Sequence, residues 1–311
     1  MDKVTVFGAG HVGATTAFYL ALSATLEIAL VDIDAGKAAG LAMDIEQSLP
    51  YSGSSSKLEG GGDAALAEGS DLVVITAGYP RTPGMSRLDL TERNAPVVRE
   101  VASSVAERAP GAVVINVTNP VDEMTFLAWR SCGFEPRRVM GMAGVLDTSR
   151  FLYFLNRMAS VRTRDTSALV LGSHGDDMAP LVDTSTVGGE PLSEVVEAGL
   201  LDEVVGRTRE GGAEIVGQIK TGSAYFAPAV SVGAMALAIL ADTGRVLPAS
   251  AYLTGEYGIE GVFLGVPAKL GRGGVLQVVE LPLSGRERGY LHRAAAGVRG
   301  RVEEAERFLG E

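Results

Sequence analysis

A strand-like run, Val4-Thr5-Val6-Phe7, leads straight into Gly8-Ala9-Gly10-His11-Val12-Gly13 and then into a segment of helix length. This juncture restricts the fold more than any other feature of the chain. A turn of that spacing between a strand and a helix opens a βαβ unit with parallel strands, the context in which G-x-G-x-x-G reads as a dinucleotide-binding turn. Gly8 permits the tight turn, Gly10 lets the backbone approach a pyrophosphate, and Gly13 allows the helix to pack closely on the strand. Ala9, His11 and Val12 fill the variable positions. The whole turn is therefore the candidate cofactor cradle, with phosphates at the positive end of the helix. Asp32 ends the second apolar run, where a carboxylate accepts hydrogen bonds from the adenosine ribose hydroxyls and repels a 2′-phosphate. Ile33 and Asp34 follow with no arginine for such a phosphate, so NAD is expected over NADP. A glycine-rich turn without function is the competing reading, and it leaves both the strand before and the acid after unexplained.

Short apolar runs at 4–7, 27–31, 72–77, 112–117 and 139–142 alternate with helix-length segments at 11–22, 36–48, 91–108 and 121–131. The runs lack polar alternation, as strands covered by helices on both faces do. The chain thus predicts an α/β fold, a Rossmann-type doubly wound parallel sheet, over residues 1–143. Residues 53–62, with serines and glycines in succession, read as surface loop with one weak strand near Lys57-Leu58. From Asp147 onward, longer helices mix with strand signals at 168–171, 181–187, 251–253, 262–264 and 275–279. That texture predicts a C-terminal α+β substrate and catalytic domain over 144–311. The tail opens with a capping-box spacing, Ser284-Gly285-Arg286-Glu287. It then carries Leu291, Ala295, Val298, Val302, Ala305 and Leu309 at steps of four and three, an amphipathic helix docked on the rest.

The longest mostly apolar stretch, 227–241, contains Pro228, Ser231 and Gly233 and is too short for a membrane span, so it reads as a buried helix. Met1-Asp2-Lys3 precedes the first strand without an apolar leader, and a single cysteine, Cys132, closes no internal disulfide. Both features predict a reducing, cytoplasmic setting. The formal charge of −11, from 27 basic and 38 acidic residues, is not interrupted by a basic stripe. Neither nucleic acid nor an anionic membrane surface is an expected partner. No Cys/His cluster has metal-ligand spacing, so no metal is expected.

Proton chemistry near neutral pH narrows to three histidines. His11 belongs to the glycine turn, and His292 sits among Arg288, Tyr290 and Arg293 in the tail helix. His174 lies within Gly172-Ser173-His174-Gly175-Asp176-Asp177, a sharp loop at a strand end where catalytic groups are commonly presented, although a structural loop histidine fits the same residues. Asp147-Thr148-Ser149-Arg150 heads a helix. Asp147 has the chemistry to orient an imidazole and favour its protonated form, and Arg150, three residues on, offers a planar fork for a carboxylate. A helix-capping aspartate with an incidental arginine is the alternative. The segment Gly78-Tyr79-Pro80-Arg81-Thr82-Pro83-Gly84-Met85-Ser86-Arg87 is either a charged surface loop or a lid closing over an anion. Asn119, in Val117-Thr118-Asn119-Pro120 at another strand end, can hydrogen-bond an oxygen in the same crevice.

Taken in order, these segments resemble the lactate/malate dehydrogenase family across essentially the whole chain. The resemblance is carried by Gly8 to Gly13, Asp32, the arginine-bearing lid with Arg87-Leu88-Asp89-Leu90 and Asn94, Thr118-Asn119-Pro120, Asp147 to Arg150, and Gly172 to Asp176. It implies reversible, NAD-dependent oxidation of a 2-hydroxy acid. By that resemblance His174 exchanges the hydroxyl proton, Asp147 holds its ring, Arg87 polarises the carbonyl, Asn119 positions that oxygen, and Arg150 grips the C1 carboxylate. Asn94, Val117, Thr118 and Asn119 are implied on the nicotinamide side. Arg81 stands where lactate-specific members usually carry glutamine, so the implied substrate is a small dicarboxylate, (S)-malate or oxaloacetate, in the lactate-dehydrogenase-like subgroup. Lactate or another 2-hydroxy acid is the alternative substrate, and a catalytically silent NAD-binding protein is the alternative of another class. The resemblance further implies a homo-oligomer, a tetramer ahead of a dimer, with 14–22 and 224–241 as interface candidates, and a place in the tricarboxylic acid cycle.

Overall fold

The computed structural model describes residues 1–82, 84–175, 177–220 and 222–308; of the residues singled out above, Pro83, Asp176 and Leu309 lie outside them. The first half alternates as the apolar runs predict: β1 (Lys3–Phe7), α1 (His11–Ser23), β2 (Glu27–Val31), α2 (Ala35–Ser52), β3 (Lys57–Gly61), β4 (Leu72–Ile75), α3 (Arg87–Arg108), β5 (Val113–Asn116), α4 (Val121–Cys132) and β6 (Val139–Gly141). The six strands pair in parallel in the order β3-β2-β1-β4-β5-β6, so the strand order reverses between β1 and β4. Val4, Val6, Leu72 to Ile75, Val114 and Ile115 are fully buried, because helices cover both faces of the sheet.

Two expectations for this half are corrected. Residues 53–56 are loop as expected, but the weak strand expected near Lys57-Leu58 is a full edge strand, Lys57–Gly61, in parallel register with β2. A Cβ on Gly60 would lie 2.1 Å from the Ala38 carbonyl oxygen, so the glycine run lets α2 lie close against that edge. Likewise α3 starts at Arg87 and not near Thr91, because Ser86 and Asp89 form a reciprocal capping box in what reads as the end of a loop.

The second half contains α5 (Gly144–Ala159), β7 (Thr166–Ser167), β8 (Val170–Gly172), β9 (Met178–Pro180), β10 (Thr186–Val187), β11 (Glu190–Pro191), α6 (Leu192–Val195), α7 (Ala198–Ile219), α8 (Phe226–Leu240), β12 (Arg245–Thr254), β13 (Glu260–Gly271), β14 (Gly274–Val278) and α9 (Gly285–Glu306). The signals at 251–253 and 262–264 are the facing ends of two long strands whose extent is hidden by Pro248, Gly265 and Pro267. This hairpin carries the parallel sheet onward: Ser250 of β12 pairs antiparallel with Gly141 of β6, and β13 pairs with β8 and β14. A single mixed sheet therefore runs through both halves, with a small sheet β11-β10-β7 beside it. The expected strand at 181–187 is mostly turn, since Ser185 donates to the Leu181 carbonyl and Glu287 accepts from the Asp183 and Thr184 amides. α9 begins at the Ser284–Glu287 capping box and buries Leu291, Ala295, Val298, Val302 and Ala305, as its spacing predicts. Among the described residues no helix is long and apolar enough to cross a membrane.

Candidate active site

The carboxyl ends of β1, β4 and β5 converge where the strand order reverses, the place at which open α/β sheets bind ligands. There Gly8 has φ +104°, and a Cβ on Gly13 would sit 1.9 Å from the Gly8 carbonyl oxygen, so neither position accepts a side chain without displacing backbone. Gly10 has no heavy atom within 4 Å of its would-be Cβ, and α1 carries no side-chain cap. The first amides of a thirteen-residue helix thus face an open approach, which suits a pyrophosphate. Asp32 Oδ2 accepts from the Ala9 amide at 2.6 Å and Oδ1 from the Asp34 amide at 3.0 Å, which brings the carboxylate to the rim of the turn. The residues present fit a dinucleotide with free ribose hydroxyls. Val117 and Thr118 are buried just past the end of β5, with Thr118 Oγ1 donating to the Ala77 carbonyl at 2.7 Å. The His11 ring stacks on Tyr225 at the head of α8, with centroids 5.0 Å apart.

The His174–Asp147 pair comes from two elements tied together locally. Thr148, in the first turns of α5, accepts the Val170 amide of β8 at 2.9 Å, which registers α5 against the strand that leads into the His174 loop. Asp147 is 1% exposed, and its Oδ2 lies 2.8 Å from His174 Nδ1. An ionised carboxylate only accepts, so Nδ1 donates and Nε2 is the free nitrogen. Burial works against the charged imidazolium, but the charge and hydrogen bond of Asp147 outweigh it; Arg150 subtracts and Asp122 adds, leaving the His174 pKa above the ordinary histidine value. Arg150 Nη1 stands 3.4 Å from Asp147 Oδ1. Burial lowers its pKa, and Asp147 offsets part of that. Gly211 and Gly212 on α7 lie against this side chain: a Cβ on Gly212 would stand 3.4 Å from Nη2, at ordinary contact distance.

Arg87, the first residue of α3, joins the same cluster: its Nη2 donates to the His174 carbonyl at 3.4 Å. Asn119 is exposed beyond the end of β5, next to a cis Asn119–Pro120 bond. Asn94 is fully buried, and its amide is used up in bracing the lid base to that turn. It donates to the Asn119 carbonyl at 2.7 Å and accepts from the Tyr79 amide at 2.7 Å, so it shapes the crevice wall from behind. Arg81 is not brought into the cluster. It is exposed, with Nε on the Met85 carbonyl of its own loop at 3.1 Å.

Sequence reasoning misses a buried polar group behind the His174 loop. Asp122 and Glu123, in the first turn of α4, are 0% and 1% exposed. Asp122 accepts from Ser250 Oγ at 2.6 Å, Ser173 Oγ at 2.7 Å and the His174 amide at 3.3 Å. Burial and then the neighbouring Glu123 charge push its pKa up, against those hydroxyl bonds. Arg301 of α9 reaches Glu123, Ser173 and Asp177. Two adjacent acids after a strand-ending Thr-Asn-Pro are the available signal, and they read equally well as ordinary helix-start acids.

A family model described as the NAD binding domain of lactate/malate dehydrogenase matches residues 2–141, and one described as its alpha/beta C-terminal domain matches residues 144–309. A curated malate dehydrogenase from Nostoc punctiforme is 45% identical over 99% of this chain and 94% of its own length. The solved malate dehydrogenase from Salinibacter ruber superposes with a TM-score of 0.93 at 42% identity, covering 98% of each chain. A lactate dehydrogenase from Cryptosporidium parvum, solved with lactic acid and nicotinamide adenine dinucleotide, reaches the same TM-score at 38% identity, again over 98% of each chain.

Proposed function

The chain belongs to the lactate/malate dehydrogenase family, and from that premise we propose how its residues interconvert (S)-malate and oxaloacetate. The observation that carries the reading is the His174–Asp147 pair at 2.8 Å, flanked by Arg150 and Arg87. The turn from Gly8 to Gly13, with Asp32, Val117, Thr118 and Asn119, would hold NAD, which when bound supplies the hydride acceptor and donor. His174 Nε2 takes the hydroxyl proton of malate and returns it to the carbonyl oxygen of oxaloacetate. Asp147 keeps Nε2 aimed at that oxygen and balances the positive charge the ring acquires. Arg150 grips the C1 carboxylate through its planar fork. Arg87 stabilises the negative charge developing on the C2 oxygen, and Asn119 holds the same oxygen in place.

Substrate choice rests on Arg81. Its guanidinium is exposed and donates from Nε to the Met85 carbonyl, and closure of the lid loop would carry it onto the C4 carboxylate of malate. Losing one partner of a desolvated ion pair costs about 2–5 kcal/mol, roughly 30- to several-thousand-fold. Arg81→Gln should therefore shift kcat/KM from oxaloacetate toward pyruvate by that factor in steady-state NADH oxidation; unchanged discrimination would overturn the assignment. Exposed Phe18 and Leu22 on α1, with Phe226 and Val230 on the adjoining α8, support a homo-oligomer, a tetramer ahead of a dimer, which light scattering tests. The charge of −11 and the buried lone Cys132 support a cytoplasmic enzyme with no nucleic-acid or membrane partner, and interconversion of malate and oxaloacetate supports a place in the tricarboxylic acid cycle.

A further inference from the structure

We propose that Glu123 and Arg301 are positioning residues for this reaction, acting as one unit: Glu123 aims the guanidinium of Arg87, and Arg301 fixes the loop that carries His174. The inference rests on the roles of Arg87 and His174 argued above. Glu123 Oε1 faces two guanidinium groups at once, receiving a 2.6 Å hydrogen bond from Arg301 Nε and lying 3.2 Å from Arg87 Nε. The second contact is an ion pair without hydrogen-bond alignment, since Arg87 Nε is buried and has no hydrogen-bond partner among the described residues. It therefore turns the stem of Arg87 while leaving both terminal nitrogens on the side of the His174 loop, where Nη2 reaches the His174 carbonyl.

Arg301 uses all three of its nitrogens. Besides Glu123 it donates to Ser173 Oγ at 2.9 Å and to Asp177 Oδ2 at 3.3 Å, residues that stand on either side of His174 in the chain. One side chain from the last helix thus clamps both limbs of the catalytic loop to the start of α4. Stability is a poor reason for such an arrangement: a buried ion pair is often no better than apolar residues of equal volume, because its desolvation offsets its attraction. Glu123 Oε2 moreover has no hydrogen-bond partner among the described residues. Geometry is the better reason, since a displacement of about 1 Å at reacting groups costs roughly 10²-fold in rate.

The test is single-turnover stopped-flow oxidation of NADH by saturating oxaloacetate, with rates expressed per site titrated by NADH fluorescence. The parent is compared with Glu123→Gln, Arg301→Lys and their double variant. Each single change should slow the step roughly 10- to 100-fold per titrated site while leaving NADH affinity nearly unchanged, and the double variant should fall no further than the worse single one. A merely structural pair lowers Tm and the number of titratable sites but not the rate per site, and that result overturns the proposal, as do losses that multiply in the double variant. Arg87→Gln is measured alongside. If it is slow while Glu123→Gln matches the parent, only this inference fails; if Arg87→Gln also matches the parent, the reading of Arg87 fails with it.

Discussion

Asp147→Asn removes one charge from the centre of the site while keeping its shape. With Oδ2 2.8 Å from His174 Nδ1, the centres of the two charged groups are about 4 Å apart, and at an effective dielectric of about 20 their attraction is about 4 kcal/mol. That attraction matters in the transition state of malate oxidation, where the imidazole is gaining its proton. Its loss is worth up to about 10³-fold in kcat/KM. The pH profile moves as well. Oxaloacetate reduction requires protonated His174, so its rate falls as pH rises through the histidine pKa, which Asp147 holds above the ordinary value. In the variant burial and Arg150 are opposed only by the more modest effect of Asp122, and this limb moves to lower pH. Stability follows the same sign: the raised histidine pKa contributes stability that is fully present below the ordinary value and lost as pH rises through the folded one. The Tm difference between parent and variant is therefore largest in mild acid. Steady-state rates in both directions across pH, with thermal melts, make the check. A kcat/KM within tenfold of the parent, with an unmoved limb, would refute the reasoning.

Other changes separate the cofactor turn from the frame. Gly13→Ala drives a methyl into the Gly8 carbonyl and should destabilise the fold by about 2 kcal/mol or more, lowering Tm by several degrees. Gly10→Ala, with open space around it, should leave Tm unchanged yet weaken NADH binding in fluorescence titration by about tenfold, or about 1.4 kcal/mol. Asp32→Ser should lower the preference for NADH over NADPH in kcat/KM by about tenfold or more, because a ribose acceptor and a phosphate-repelling charge disappear together. Ser284→Ala removes the cap that accepts the Glu287 amide at 3.2 Å and should cost about 1 kcal/mol in thermal unfolding with kcat unaltered.

The parallel half is legible because its strands are short, apolar and buried on both faces, so the pattern carries the topology without help from distant residues. The dinucleotide turn is legible for a related reason: Gly8 and Gly13 are demanded by contacts within one βαβ unit. Legibility fails where a partner is remote. Glu123 and Arg301 are 178 positions apart, and nothing near either one announces the other. It also fails where one residue type serves two ends: Gly60 in a serine- and glycine-rich stretch looks like loop, yet it is the point of closest approach between α2 and the edge strand. The start of α3 is an intermediate case, since Ser86 and Asp89 have the spacing of a cap but sit among the prolines and glycines of the lid.

The pairing of Ser250 with Gly141 stitches β12 to β6 and makes one hydrogen-bonded surface of the two halves. Through that join a shift of one half is passed to the other along backbone hydrogen bonds as well as side chains. The segment between β4 and α3 contributes no strand among the described residues, so its exchange is expected to leave the scaffold beneath it as it is.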